Sequence, residues 1–193
     1  HGVVFLGTSN AKGGFEPAAV LHPKGEAEVT VSETVLKRVT ETHQAVLELL
    51  QMNVIEFHPW RARGDEPDQP DRLVFDLDPG PGVDWKRVVA GAREVRDRLA
   101  EAGLESFAGL SGGKGVHVVV PIRRGPSWDE AKDFTGAFAE AMAAHKPLHY
   151  VATMSKAKRK GRIFIDWLRN GRGATSVTSW SLRARKGAPV AVP

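Results

Sequence analysis

Residues 73–80 read Leu73-Val74-Phe75-Asp76-Leu77-Asp78-Pro79-Gly80, so apolar and acidic side chains alternate before a Pro-Gly pair. Alternation with a period of two predicts a β-strand, and Pro-Gly predicts the turn that ends it. Because successive side chains of a strand point to opposite faces, Asp76 and Asp78 share one face while Phe75 and Leu77 share the other. The stretch therefore predicts a strand with one buried face and two carboxylates on the opposite face.

The sequence on either side of this strand predicts further helices and strands. Helices are indicated by capping residues and by apolar residues at helical spacing, and strands by short apolar runs between turn residues. The elements predicted from residue 73 onward are a strand at 73–78, a helix from the cap at Asp84 to the stop at Gly103, strands at 104–108 and 116–121, a helix from the capping box of Ser127 and Glu130 to the residue before Pro147, and a strand at 162–168. The elements predicted earlier in the chain are a loop or hairpin at 1–29, a helix at 31–52 and a short strand at 54–58.

The order of these elements predicts the topology of a sheet. Strand, helix, strand, strand, helix, strand is the split βαβ arrangement, in which the first strand lies between the third and the fourth. The strand at 73–78 should then be flanked by those at 116–121 and 162–168. The predicted fold class is α/β (α+β), with a split βαβ (RRM-like) sheet that carries the site and with an N-terminal helical or irregular segment.

Three aspartates and a histidine converge in this topology. Asp76 and Asp78 lie on the central strand, and His117 and Asp166 lie on its two neighbours. Two carboxylates about 4 Å apart repel by roughly 4 kcal/mol at an effective dielectric of 20, so a cluster of three requires cations. Oxygen ligands suit Mg²⁺ or Mn²⁺, and two such ions ~3.5–4 Å apart can assist an in-line phosphoryl displacement. The structural alternative is that Asp76 is exposed and Asp78 only opens the Pro-Gly turn.

A glycine-rich turn precedes the strand at 116–121. It reads Ser111-Gly-Gly-Lys-Gly-Val-His117, and its glycines would let backbone amides approach an anion while Lys114 adds a point charge. The turn leads into a strand and lacks the G-x-x-x-x-G-K-[ST] spacing, so it is not a Walker loop. The segment predicts a phosphate-binding turn in which His117 donates to a phosphate. A tight hairpin turn is the alternative.

Basic residues are concentrated near the end of the sequence. Residues 151–193 contain ten Lys or Arg and one acid, Asp166, a balance of +9, whereas residues 1–150 contain 17 basic and 22 acidic residues, a balance of −5. Arg183 and Arg185 alternate, which predicts that both project from one strand face, and arginine suits bidentate contact with phosphate. A basic segment beside an acidic body predicts a polyanion partner, and a solvated basic surface is the alternative.

Length and composition restrict the class of protein. A chain of 193 residues is long enough for one core and short for two, so we expect one domain over 1–193. The absence of cysteine excludes disulfides and thiolate-bound zinc. No apolar run approaches the ~18–20 residues of a membrane helix, so we expect a soluble protein without a membrane partner. The absence of cysteine fits a cytoplasmic protein.

Five blocks of sequence together resemble the polymerase domain of bacterial ATP-dependent DNA ligase D, a member of the archaeo-eukaryotic primase superfamily. The blocks are Glu56-Phe-His-Pro-Trp60, Pro70-Asp-Arg-Leu-Val-Phe-Asp-Leu-Asp-Pro79, Ser111-Gly-Gly-Lys-Gly-Val-His117, Gly161-Arg-Ile-Phe-Ile-Asp-Trp-Leu-Arg-Asn170 and Ser181-Leu-Arg-Ala-Arg-Lys-Gly-Ala-Pro189. The resemblance implies a primase-like polymerase core over residues 45–193. In residues 1–44 we locate no counterpart of the family's longer N-terminal segment, which binds a recessed 5′-phosphate.

The resemblance implies addition of ribo- or deoxyribonucleotides to a primer 3′ end, as gap filling during non-homologous end joining. The implied cofactor is Mn²⁺ or Mg²⁺, with two ions in the site, and the implied substrate is an NTP or dNTP. Implied partners are DNA ends or gapped duplex DNA, a DNA ligase and the end-binding protein Ku, in the bacterial nucleoid. The sequence contains no K-x-D-G ligase motif, so ligation would require another domain or protein.

The resemblance also assigns roles by position. Asp76 and Asp78 look like the ligands shared by both metal ions, and Asp166 looks like the third carboxylate, which would also activate the primer hydroxyl. The residues that look like nucleotide contacts are His58, Ser111, Lys114, His117, Arg169 and Arg183. The residues expected at the DNA are Arg159, which looks like a template-strand contact, and Arg162 and Arg185 of the basic segment.

Two other functions are compatible with the sequence. The basic segment alone would suit a non-catalytic DNA-end binding module. The carboxylates alone would suit a metal-dependent phosphohydrolase or nuclease, for which Lys114 and the arginines would be surplus.

Overall fold

The computed structural model of the protein describes residues 49–51, 54–63 and 66–193, together with the backbone of two strands near the N-terminus. Those strands, β1 (Phe5–Ser9) and β2 (Phe15–Val20), pair antiparallel, in agreement with the loop or hairpin expected there. Residues 49–51 are helical, and the rest of the helix predicted at 31–52 lies outside the described residues.

Five strands form the main sheet. They are β3 (Arg72–Pro79), β4 (Phe107–Leu110), β5 (Val116–Pro121), β6 (Tyr150–Val151) and β7 (Ile163–Asp166). Their order is β4-β5-β3-β7-β6, with β6 parallel to β7 and every other pair antiparallel. The predicted split βαβ arrangement is confirmed, because β3 lies between β5 and β7. The edge strand β6 was not predicted, since two residues are too few to show alternation.

Two helices cover one face of this sheet, α1 (Trp85–Glu101) and α2 (Trp128–His145). Both predicted caps are present, a side-chain cap from Asp84 to the backbone N–H of Arg87 and a capping box formed by Ser127 and Glu130. The core lies between the helices and the apolar face of the strands and includes Leu73, Phe75, Leu77, Val95, Leu99, Val118, Val120, Ala139, Met142, Ile163 and Ile165. Within the described part of the chain, no helix is long and apolar enough to cross a membrane.

Two irregular segments lie on the opposite face of the sheet. The segment at 54–63 and the C-terminal residues 176–192 contribute to a cavity of about 140 Å³ whose floor includes Val74 and Val119 of that face. The two segments are joined by a hydrogen bond of 3.0 Å from the Thr178 N–H to the Phe57 carbonyl. This face therefore has a cover made of loops, which leaves room for polar side chains.

Two strand predictions are wrong in position or type. The strand expected at 104–108 begins three residues later, because the chain is still closing α1: the Leu104 N–H donates to the Leu99 carbonyl at 2.9 Å, and Gly103 has φ +75°. The strand expected at 54–58 is irregular, because the Phe57 N–H donates to the Ser181 hydroxyl at 2.8 Å rather than to a neighbouring strand.

The strand predicted at 162–168 is confirmed but shorter. It ends at Asp166, and residues Leu168–Asn170 form a short 3₁₀ helix. The Asn170 side chain, 1% exposed, then occupies the place beside β3 that a longer β7 would have filled. Its Oδ1 accepts from the Val74 N–H at 2.8 Å, and its Nδ2 donates to the Val74 carbonyl at 2.8 Å. One side chain thus completes the hydrogen bonding of the central strand.

We expect Asn170→Ala to destabilise the protein by about 2–3 kcal/mol, because it leaves a buried N–H and a buried carbonyl of Val74 without partners. Urea denaturation followed by circular dichroism measures the change. Asn170→Asp keeps an acceptor for the N–H but places a buried carboxylate against the carbonyls of Val74 and Trp167, so it should destabilise the protein at least as much as Asn170→Ala. A loss below about 0.5 kcal/mol for Asn170→Ala would show that Val74 finds other partners.

Candidate active site

Three carboxylates meet where β3 and β7 pair. Asp76 lies directly opposite Asp166 in the ladder, and Asp78 is two residues further along the same face of β3. One carboxylate oxygen from each residue lies within 4.8 Å of the others. Asp76 and Asp166 are buried, at 8% and 9% exposure, and Asp76 Oδ1 has no hydrogen-bond partner. The cluster predicted from strand order is therefore present in the fold.

Burial and the neighbouring carboxylates raise the pKa of two of the three acids, Asp78 and Asp166. Burial, together with the negative charges of Asp76 and Asp166, raises the pKa of Asp78 to about 6. Burial also raises the pKa of Asp166, although the nearby Arg169 guanidinium opposes this. A divalent ion would reverse both effects and would satisfy the unpartnered oxygen of Asp76. With three carboxylates as ligands, this group could hold a metal ion with a preference for oxygen, such as Mg²⁺ or Mn²⁺.

Gly115 makes room for the carboxylates. A Cβ atom at this position would lie 2.7 Å from the Leu77 carbonyl oxygen, 3.0 Å from Asp76 Oδ1 and 3.4 Å from Asp78 Oδ1. The last glycine of the glycine-rich turn is therefore required by the packing of the turn against the acidic cluster. The sequence suggested that these glycines let backbone amides approach a phosphate. The packing gives Gly115 a second, steric role.

The predicted site residues of β5 and its turn lie next to the acids. His117 pairs with Asp76 across the ladder, and its Nε2 is 3.5 Å from Asp76 Oδ2. Ser111 is buried and Lys114 is exposed, and both line the same cavity as the carboxylates. The glycine-rich turn thus places one cation at the mouth of an acidic cavity.

Arg183 and Arg185 reach the cavity in a way that the sequence did not predict. They lie on an irregular turn rather than a strand, since the Arg185 N–H donates to the Arg183 carbonyl. Arg183 packs on the glycine-rich turn, where a Cβ on Gly112 would come within 2.8 Å of its Cγ, and its Nη1 donates to the Ser111 carbonyl. The expectation of a shared strand face is therefore wrong, although both side chains line the cavity.

The remaining arginines differ in position. Arg169 lies beside Asp166, with Nε 3.2 Å from its Oδ2, and Arg159 stacks on the Phe164 ring with Cζ 3.9 Å from the ring centroid. Both line the cavity. Arg162 precedes β7, and its N–H donates to the Arg159 carbonyl at 2.9 Å, but it is not one of the residues that line the cavity.

These residues enclose a polar cavity of about 360 Å³ on the loop-covered face of the sheet. The predicted site residues that line it are His58, Asp76, Asp78, Ser111, Lys114, His117, Arg159, Arg169, Arg183 and Arg185. Asp166 completes the carboxylate group at its floor. An acidic floor with a cationic rim suits a polyanion that carries divalent cations, such as a nucleoside triphosphate.

Two buried charges were missed at the level of sequence. Glu56, 5% exposed, contacts both His58 and Arg183. Arg61, 2% exposed, donates to the Ser176 hydroxyl at 3.2 Å, and burial lowers its pKa to about 9. The signal available for Glu56 was its place two residues before His58 in the first block. Arg61 carried no signal, because nothing in the sequence predicts that this arginine is buried.

We expect Gly115→Ala to lower the affinity for Mn²⁺ about tenfold or more, because the added methyl group displaces Asp76 and the β3 backbone. Electron paramagnetic resonance of free Mn²⁺ measures the affinity. Gly113→Ala is the matched control: its Cβ would first meet the flexible end of Arg185, at 2.9 Å from Nη1. It should change the affinity by less than about twofold. Equal affinities for the two variants would contradict the packing argument.

We expect Asp78→Asn to stabilise the metal-free protein at pH 7.5. A folded pKa of about 6, above the ordinary 3.8, means that ionised Asp78 opposes folding, and this penalty develops as pH rises from 4 to above 6. The shift corresponds to an upper limit of about 3 kcal/mol, and solvent screening reduces the expected gain to about 1–2 kcal/mol. Denaturation in EDTA measures it, with the exposed Asp133→Asn as control. A gain that stays constant down to pH 4 would contradict this origin.

Comparisons with known proteins agree with this geometry. The chain matches the LigD primase-polymerase domain family over residues 17–193. It is 44% identical over 150 residues to the multifunctional non-homologous end joining protein LigD of Pseudomonas aeruginosa, covering 78% of this chain and 18% of that protein. The same-named protein of Mycolicibacterium smegmatis is 30% identical over 187 residues, covering 96% and 24% respectively. This chain thus spans less than a quarter of these relatives.

The fold comparison covers the whole chain. The polymerase domain from Mycobacterium tuberculosis ligase D, solved in complex with DNA, superposes with a TM-score of 0.82 at 28% sequence identity, over 100% of this chain and 72% of that one. The matched family range includes every strand of the main sheet and every residue of the cavity. The chain belongs to the LigD primase-polymerase domain family.

Proposed function

We propose that the protein is a DNA-end nucleotidyltransferase, which adds ribo- or deoxyribonucleotides to a primer 3′ end. The observation that carries the proposal is the three-carboxylate cluster at the floor of a cavity whose rim bears Lys114 and several arginines. A nuclease would need the acids but not this rim, and a binding module would need the rim but not a buried acidic floor. Transfer from a nucleoside triphosphate uses both.

Asp76, Asp78 and Asp166 are proposed to hold two divalent ions, Mn²⁺ or Mg²⁺. Bound ions would lower the charge of the triphosphate and stabilise the entering and leaving oxygens of an in-line displacement. Asp166, opposite Asp76 in the ladder, is also proposed to accept the proton of the primer hydroxyl. The unpartnered Asp76 oxygen is the feature of this chain that best fits a bound ion.

The cationic rim is proposed to orient the triphosphate. Lys114 is exposed on its turn and can reach an entering phosphate as a point charge. His117, Ser111, Arg169 and Arg183 line the same cavity and are proposed as further nucleotide contacts, with His58 at its edge. Arg159 and Arg185 also line the cavity and are proposed to contact DNA, together with Arg162 outside it.

The biological setting is proposed from the relatives. The relatives named above carry names that refer to non-homologous end joining, and the solved relative is in complex with DNA. We propose gap filling at DNA ends in the bacterial nucleoid, with a DNA ligase and Ku as partners. Because the relatives are several times longer than this chain, ligation would be supplied by sequence outside it or by another protein.

Primer extension on a gapped duplex tests the proposal, with a labelled primer, Mn²⁺ or Mg²⁺, and an NTP or dNTP. We expect templated, metal-dependent extension that falls at least about 100-fold in Asp76→Ala and Asp78→Ala, because metal ligation supplies several kcal/mol of transition-state stabilisation. Asp97→Ala, an exposed acid on α1, is the matched control. Full activity of the Asp76 and Asp78 variants would reject the proposal.

The same assay separates the two alternatives. Tight binding to DNA ends without incorporation of nucleotide would select a binding module. Release of nucleotides from the labelled primer without extension would select a nuclease.

A further inference from the structure

Glu56 contacts its near neighbour His58 and two adjacent residues that are distant in sequence, Arg183 and Ala184. Its Oε1 is 2.7 Å from His58 Nε2 and 2.9 Å from Arg183 Nε, and its Oε2 accepts from the Ala184 N–H at 2.9 Å. The Glu56 carboxylate is only 6% exposed. Burial would raise its pKa, but the Ala184, His58 and Arg183 contacts together lower it below its ordinary value. Glu56 is therefore a buried, ionised carboxylate whose charge is balanced by specific partners.

The contact with His58 determines the state of the imidazole. Burial lowers the pKa of His58 despite the opposing effect of Glu56, so the ring is neutral at neutral pH. A neutral imidazole has one N–H, and a carboxylate can only accept, so the hydrogen bond places that proton on Nε2. Glu56 thus fixes both the orientation and the tautomer of a ring that lines the cavity.

The contact with Arg183 extends to the glycine-rich turn. The Arg183 side chain is 11% exposed and has a like charge nearby in Arg185. Its Nη1 donates to the Ser111 carbonyl, at the start of the turn. A guanidinium with this degree of burial requires a fixed counter-charge, and Glu56 is the carboxylate in contact with it. One acid thus holds Arg183 against the turn that carries Lys114.

We propose that Glu56 is a positioning residue that sets nucleotide affinity by fixing His58 and Arg183 in the cavity. The inference rests on the proposed function and adds to it a residue that would not touch the substrate itself. Preorganised contacts bind a ligand more tightly because less order is lost on binding. Loss of Glu56 should therefore weaken nucleotide binding more than it slows the chemical step, which depends on the three aspartates.

Glu56→Gln tests the proposal, since it keeps the size of the side chain and removes its charge. We expect KM for the nucleotide to rise about 10- to 100-fold, with kcat changed by less than about threefold. In an Arg183→Ala background the same substitution should raise KM by much less, because Glu56 then has no Arg183 side chain to hold in the cavity. Nitrogen NMR of the metal-free protein should show His58 protonated at Nε2 in the wild type and a mixture of tautomers in Glu56→Gln.

Glu94→Gln is the matched control. Glu94 accepts from the Tyr150 hydroxyl at 2.7 Å and pairs with Lys146 at 2.8 Å, so Glu94→Gln likewise removes the charge of a carboxylate with specific partners, but Glu94 lies on α1 outside the cavity. It should lower Tm without changing KM. If Glu56→Gln raises KM no more than Glu94→Gln does, or lowers kcat alone, the positioning role is rejected while the proposed function stands. A wild-type protein that neither binds nor incorporates nucleotide would reject both.

Discussion

The structure depends on three carboxylates that are held together against their mutual repulsion. The register of β3 and β7 places Asp76 opposite Asp166, and the pleat of β3 places Asp78 on the same face. Each pair of charges at such distances costs roughly 4 kcal/mol at an effective dielectric of 20. The fold pays this cost through the hydrophobic packing on the other face of the sheet, where Phe75 and Leu77 alternate with the acids and are fully buried. A cation that enters the cluster removes the repulsion.

Arg183 and Lys114 add positive charge to the cavity and are not the ion-pair partners of its aspartates. Arg183 is paired with Glu56, and Lys114 is exposed at the rim, so both are available to a ligand that brings its own negative charge. Arg169 does contact Asp166, so a metal ion that binds Asp166 would compete with Arg169 for this carboxylate. The cavity therefore combines two separate electrostatic environments, one for divalent cations and one for phosphates, on the loop-covered face of a single sheet.

Sequence patterns predicted the helices, the central strand and the order of the strands in the sheet. Alternation in 73–78 predicted the face shared by Asp76 and Asp78, capping residues predicted both helices, and the order of elements predicted which strands are neighbours. The patterns failed where long-range contacts decide the structure. Asn170 replaces a strand at β3, Ser181 bonds the segment predicted as a strand at 54–58, and Glu56 pairs with an arginine 127 positions away. Arg183 and Arg185 alternate like strand residues but follow a turn shaped by these contacts.

The most direct measurement is anomalous X-ray diffraction from crystals grown with Mn²⁺ and a non-hydrolysable nucleoside triphosphate. We expect two Mn²⁺ ions ~3.5–4 Å apart, bound by Asp76 and Asp78, with Asp166 on one of them and the triphosphate against Lys114. Manganese bound elsewhere, or a triphosphate outside this cavity, would contradict it.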